Sequence, residues 1–265
     1  KLAEFVRLCR PYIHRRINNE EFHEDLMQDM VQFYSKEASS LPSSSPFANN
    51  SDEYILYYTA MTLYGIILGA QSNTYSSLAW TICHLSSDSM LRTKIFPCEY
   101  SDSKKMDLVE DCIRESIRLA KADWILPRKV LQSFTVVRSG SDAGTTNTEQ
   151  SFVIPKGNIL LMRNVLNDES VVGHEPLVFN PYRYTENEHL FKAVQKHPQL
   201  WGAGLHLCKG IKYAILLNKL FLIEFFKTFD STVLSKPEEL KNTRRPIFGL
   251  TLPSNPIHLE LKIKK

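Results

Sequence analysis

The segment Trp201-Gly202-Ala203-Gly204-Leu205-His206-Leu207-Cys208-Lys209-Gly210 places one cysteine just ahead of the apolar stretch 211–229, whose composition predicts a buried helix. The positive end of a helix dipole favours an anionic sulfur, so a cysteine held there can act as a thiolate donor to a metal. Glycines at 202, 204 and 210 let the backbone turn and approach a flat cofactor closely. The same residues also permit a plainer role, because a lone cysteine is commonly a small buried hydrophobe. Cysteine and glycines by themselves favour that plainer role.

Two other groups of residues bear on the choice. Glu115-Ser116-Ile117-Arg118 spaces a carboxylate and a guanidinium by three, on one face of a predicted helix. As an isolated surface pair this is worth about 0.2–0.5 kcal/mol. Downstream, Phe179-Asn180-Pro181-Tyr182-Arg183-Tyr184 supplies a second arginine, whose planar fork can bind a carboxylate with paired hydrogen bonds. A cysteine hydrolase is poorly supported, since no histidine and acid stand at a recognisable spacing from Cys208.

The order aromatic, two residues, glycine, three residues, cysteine, one residue, glycine resembles the haem-binding loop of the cytochrome P-450 family. It falls here on Trp201, Gly204, Cys208 and Gly210, with tryptophan where the family usually has phenylalanine. Glu115-x-x-Arg118 is similar to the family's glutamate-x-x-arginine, and Pro181-x-Arg183-Tyr184 to its proline-x-arginine-aromatic segment. The finer texture resembles the branch that holds prostacyclin synthase, cholesterol 7α-hydroxylase and other sterol hydroxylases: Trp201-Gly202-Ala203-Gly204, Arg128-Lys129-Val130 after one extra residue, and Phe248-Gly249-Leu250 ahead of a terminal strand at 257–263.

The resemblance implies haem b (iron protoporphyrin IX) bound through the Cys208 thiolate. It implies a buried brace of Glu115, Arg118 and Arg183 behind the haem, and Arg128 and His206 as propionate contacts, His206 having a surface-loop role as an equal alternative. Lys212 is either a contact for an acidic redox partner or a solvated lysine. The expected activity is a monooxygenase hydroxylating a sterol or other lipid. An NADPH-dependent flavin reductase and the cytosolic face of the endoplasmic reticulum membrane go with it. Family members are far longer, so the resemblance implies the C-terminal portion of the fold as a single domain over 1–265. The N-terminal half and its membrane anchor would precede it, and the chain's end matches the family's end.

One stretch departs from the pattern. Most oxygen-activating members carry an acid and then a threonine in the long central helix. Gly69-Ala70-Gln71-Ser72-Asn73-Thr74 has Ser72 and Asn73 there, or Asn73 and Thr74 in a shifted register, without an acid. Asn73 and Thr74, with Ser72, would face the distal side; a hydrated polar kink is the plain alternative. A lipid-peroxide isomerase similar to prostacyclin synthase is therefore an alternative to the hydroxylase, and the distal-side elements that the resemblance would place ahead of this sequence make a truncated non-catalytic relative unable to retain haem another.

Composition agrees with a packed domain: 265 residues are 43% hydrophobic with 10 glycines. A net charge of +3, with basic residues scattered, argues against a nucleic-acid partner. Five cysteines without a repeated short spacing fit neither a disulfide framework nor a zinc site, so Cys9, Cys83, Cys98 and Cys112 are expected to be free thiols of a reducing compartment. The uncharged stretch 54–70 is short and rich in tyrosine, which suits a buried helix better than a membrane span.

The elements that must position these residues are mainly helices, with small β-sheets. Helices are expected at 2–16, 18–35, 52–84, 107–122, from 159 to 166 and at 211–229, with a polar linker at 39–51. A hairpin should pair 130–137 with 151–154, and 171–200 should be irregular.

Overall fold

The computed structural model describes residues 1–120, 125–138, 150–163, 168–186, 201–202, 207–235, 243–244 and 252–264. Helices dominate, with antiparallel two-stranded sheets. Two compact units divide the chain, Lys1–Tyr75 and Ser76–Lys265.

The first unit holds α1 (Leu2–Ile17), α2 (Leu26–Ala38) and the start of α3 (Ser51–Ser87). Its core is Cys9, Ile13, Val31, Ile55, Leu56 and Ala60. The expected helix over 18–35 starts later than its composition suggests. Asn19 takes a left-handed φ of 56° after α1, and the chain re-enters a helix where the Asp25 side chain accepts from the Gln28 N–H at 2.9 Å. Arg16, buried, donates to the same Asp25 carboxylate at 2.8 Å.

In the second unit the end of α3, α4 (Ser89–Ile95), α5 (Ser103–Ala120) and α8 (Ile211–Thr228) enclose the main core of Leu85, Leu91, Ile95, Ile113, Leu222 and Phe226. Apolar residues recur along α5 at 109, 112, 113, 117 and 120, the three-to-four spacing of a helix face turned inward. Its C-terminal half is buried on the other faces too, which takes Glu115 and Arg118 fully out of solvent.

Four strands follow in nested order. β1 (Ile125–Lys129) pairs with β4 (Ile159–Arg163), enclosing the hairpin of β2 (Phe134–Arg138) and β3 (Gln150–Ile154). Residues 159–163 are thus a strand and not the expected helix. A short apolar run satisfies either period, and the partner decides: Val130 and Gly157–Asn158 exchange backbone hydrogen bonds at 2.8 Å that lock β4 against β1. Gly157 sits at φ 92°, a conformation closed to most side chains. Short helical turns α6 (Glu169–Val172) and α7 (Arg183–Glu186) interrupt the expected irregular stretch. The terminal strand is β8 (Leu259–Ile263), paired with β5 (Phe229–Val233), while β6 (Thr243–Arg244) pairs with β7 (Leu252–Pro253).

One expectation about α8 needs correction. Its sequence is apolar nearly all round, yet only the stripe Ile215, Asn218, Leu222, Ile223 and Phe226 is buried, while Tyr213, Leu216, Leu217, Leu220 and Phe221 are exposed. Composition says which faces can be buried; the packed neighbours settle which are.

Candidate functional site: a surface cysteine and a buried carboxylate

Cys208 is exposed, whereas Cys9, Cys83, Cys98 and Cys112 are free and buried. Burial pushes those four thiols up, Cys83 to about 11, so a thiolate is disfavoured at each of them. The Cys208 N–H donates to the Trp201 carbonyl at 2.7 Å, which ties the two ends of the loop together. Trp201 itself packs against the main core. Gly202 takes a left-handed φ of 79°, so the glycine there is required by the turn. Gly210 has φ −90°, and a Cβ added there would meet Cys208 Sγ at 3.9 Å, an ordinary contact, so within the chain neither conformation nor space demands glycine. Gly204 and His206 lie outside the described residues.

Gly210 is the N-cap of α8, with no side-chain cap and no acid in the first turn. No side chain therefore caps the positive end of this helix, whose N-cap stands two residues after Cys208 in sequence. Further along, α8 is anchored by its polar side chains. Buried Asn218 donates to Ser77 Oγ on α3 at 2.6 Å, and Lys219 pairs with Glu110 on α5, which Arg114 also holds. Burial would raise the Glu110 carboxyl, but Lys219 and Arg114 outweigh it and hold the group below its ordinary value.

The second cluster lies around Glu115. Its Oε1 accepts from Arg118 Nη2 at 2.7 Å, Arg183 Nε at 2.9 Å and the Asn180 N–H at 3.2 Å; its Oε2 accepts from Arg118 Nε at 2.8 Å and Tyr184 Oη at 2.9 Å. Arg183 spends its other four N–H groups on the carbonyls of Val172, His174, Glu175 and Val178, so all five of its donors are satisfied. Burial would raise Glu115, yet these donors keep it below the usual carboxylate value. Burial and the neighbouring carboxylate push Tyr184 well up, so its hydroxyl remains a donor.

Sequence spacing brought Glu115, Arg118 and Arg183 into consideration. It gave Tyr184 and Asn180 only as members of a segment, and it missed His84, whose Nδ1 lies 2.9 Å from Ser116 Oγ. Nothing in the spacing of a helix around position 84 signals a contact with position 116.

Arg128 stands on β1 opposite Leu160, its Nη1 donating to the Pro127 carbonyl at 2.9 Å. Ser72, Asn73 and Thr74 lie on α3 within the first unit, where the helix continues unbroken; Thr74 is buried and Asn73 exposed. Lys212 is exposed. Among the described residues no group of His, Cys, Asp and Glu could hold a bare metal ion, and no helix is long and apolar enough to cross a membrane.

These features coincide with a match to known sequences. A family model described as Cytochrome P450 covers residues 49–261, and the chain belongs to the cytochrome P450 family. Lanosterol 14-alpha demethylase of Cunninghamella elegans is 23% identical over 248 residues, 82% of this chain and 44% of that protein. The human protein of the same name is 25% identical, over 78% of this chain and 38% of its own. Methyltetrahydroprotoberberine 14-monooxygenase of Papaver somniferum is 24% identical, over 76% and 37%. The chain thus spans about two fifths of the length of these curated relatives. Haem held by a thiolate is the cofactor of the family.

Proposed function

We propose that this chain carries the thiolate-bearing part of a haem monooxygenase that hydroxylates a sterol or other lipid. The observation that carries the reading is Cys208, an exposed cysteine whose backbone N–H donates to the Trp201 carbonyl, ahead of a helix end without a side-chain cap, in a chain whose other cysteines are buried. The residues fit the group. Cys208 would hold haem b through its thiolate, Gly210 puts no side chain beside the sulfur, and Trp201 closes the loop against the core.

Haem bound there supplies redox chemistry at an iron whose thiolate ligand donates electron density and favours O–O cleavage. The chain's own residues do the rest. The links from Asn218 to Ser77 and from Lys219 to Glu110 anchor α8, whose N-terminus follows Cys208. Glu115, Arg118 and Arg183 form a rigid charged brace that needs no water to satisfy it. In this reading Arg128 and His206 serve the propionates. Ser72, Asn73 and Thr74 stand in the sequence where the family's acid and threonine stand, without an acid.

That missing acid is also the specific observation that favours a second reading, a lipid-peroxide isomerase. Supplying the haem-loaded protein with a sterol, NADPH and a flavin reductase separates them. Turnover that depends strictly on the reductase is the expected result. Turnover of a lipid hydroperoxide or endoperoxide without electrons would assign the isomerase, and failure to retain haem would leave an interaction module. Residence on the cytosolic face of the endoplasmic reticulum and pairing with a flavin reductase belong to the same proposal.

A further inference from the structure

His84 lies on α3 within the second unit and is partly buried. Its ring stacks on Phe179 at 4.4 Å between centroids and 17° between planes, and Trp80, one turn earlier, lies 5.9 Å away at 23°. Its Nδ1 meets Ser116 Oγ at 2.9 Å, and Ser116 is the residue after Glu115. Phe179 is the residue before Asn180, whose N–H donates to Glu115 at 3.2 Å. One imidazole therefore touches both sides of the Glu115 cluster: the helix that carries the carboxylate and the turn that delivers a backbone donor to it.

We propose that His84 is a positioning residue for the Glu115 brace, keying α5 through Ser116 and the 179–180 turn through the stack on Phe179. Ring and hydrogen bond have separate tasks. The flat ring sets the height of Phe179, and so of the Asn180 N–H, over the carboxylate. The polar atom fixes the rotation of Ser116, which a phenylalanine at 84 would leave without that partner.

Burial lowers the imidazole to about 4, with Glu115 pulling it up and Arg118 pushing it down, so the ring is neutral near pH 7. The charged groups around it are Glu115 and Arg118 on α5, and Arg183 binds the same carboxylate. A neutral ring adds no third cation to a carboxylate that already holds two. The assignment goes beyond the haem reading and does not depend on it, since every contact lies within the chain.

Hydrogen exchange of the Asn180 amide in the 265-residue chain tests it without haem. His84→Ala should lower the protection of that amide about tenfold or more, through loss of the stack and of the hydrogen bond. The amides of α1 and α2 should keep theirs. His84→Asn, which retains a partner for Ser116, and His84→Phe, which retains the ring, should each restore part of the protection. Unchanged protection at Asn180 in His84→Ala, or equal loosening everywhere, would overturn the proposal. Should His84→Ala not fold, Phe179→Leu removes the stack from the other side and must give the same local loss.

Discussion

Glu115 shows how a single residue acquires a role that its type does not dictate. A carboxylate with no solvent exposure is unfavourable unless its oxygens are satisfied, and here five donors, from two guanidiniums, a phenol and a backbone amide, do so. Removing it leaves two buried cations without their anion. Glu115→Ala is expected to destabilise the fold by about 3–5 kcal/mol in urea denaturation, enough to leave a large unfolded fraction. A loss below about 1 kcal/mol would mean that the cluster is hydrated and not a brace. Because Glu115 is held below its ordinary value, its stabilising contribution is complete above the unfolded carboxylate range and fades as pH falls through the lowered value. The Glu115–Arg118 pair was legible because a spacing of three is a local signature. The contacts of Glu115 with Asn180 and Tyr184 join residues 65 and 69 positions apart, and no periodicity encodes such a meeting.

At the scale of elements, α5 carries a second consequence of being buried nearly all round. Burial pushes the Asp111 carboxyl to about 7, with Glu110 and Asp107 adding to the rise and Arg114 and Lys219 opposing it. The unfolded group ionises near 3.8, so between there and about 7 the folded chain holds a proton that the unfolded chain has released. Stability therefore falls as pH rises through that window. Asp111→Asn should remove this penalty: denaturation midpoints of variant and parent should converge near pH 4 and separate toward pH 7, with a gain of up to about 4 kcal/mol. A constant difference across the window would show that Asp111 ionises normally. Elements were read well where one period dominates, as in α5, or where a long run without a proline break leaves only a helix, as in α3. They were misread where partners decide, as in β4, whose apolar run fits helix or strand until β1 pairs with it, and in α8, whose exposed stripe looks the same in sequence as its buried one.

At the scale of the whole molecule, the expected family and its helix-dominated fold are borne out by the match over residues 49–261 and by the observed elements. Family membership was legible because three short motifs occur in the right order, each weak alone. Which reaction follows is less legible, since Ser72-Asn73-Thr74 removes a carboxylate without supplying a group that names the chemistry. The claim on which the functional reading rests is that Cys208 is the haem ligand. The Soret band of the ferrous carbon monoxide complex, recorded on folded, haem-loaded protein and on Cys208→Ala, tests it most directly. The parent should show the red-shifted band of thiolate ligation and the variant should lose it. A red-shifted band that persists in Cys208→Ala, or its absence from the haem-loaded parent, would contradict the assignment.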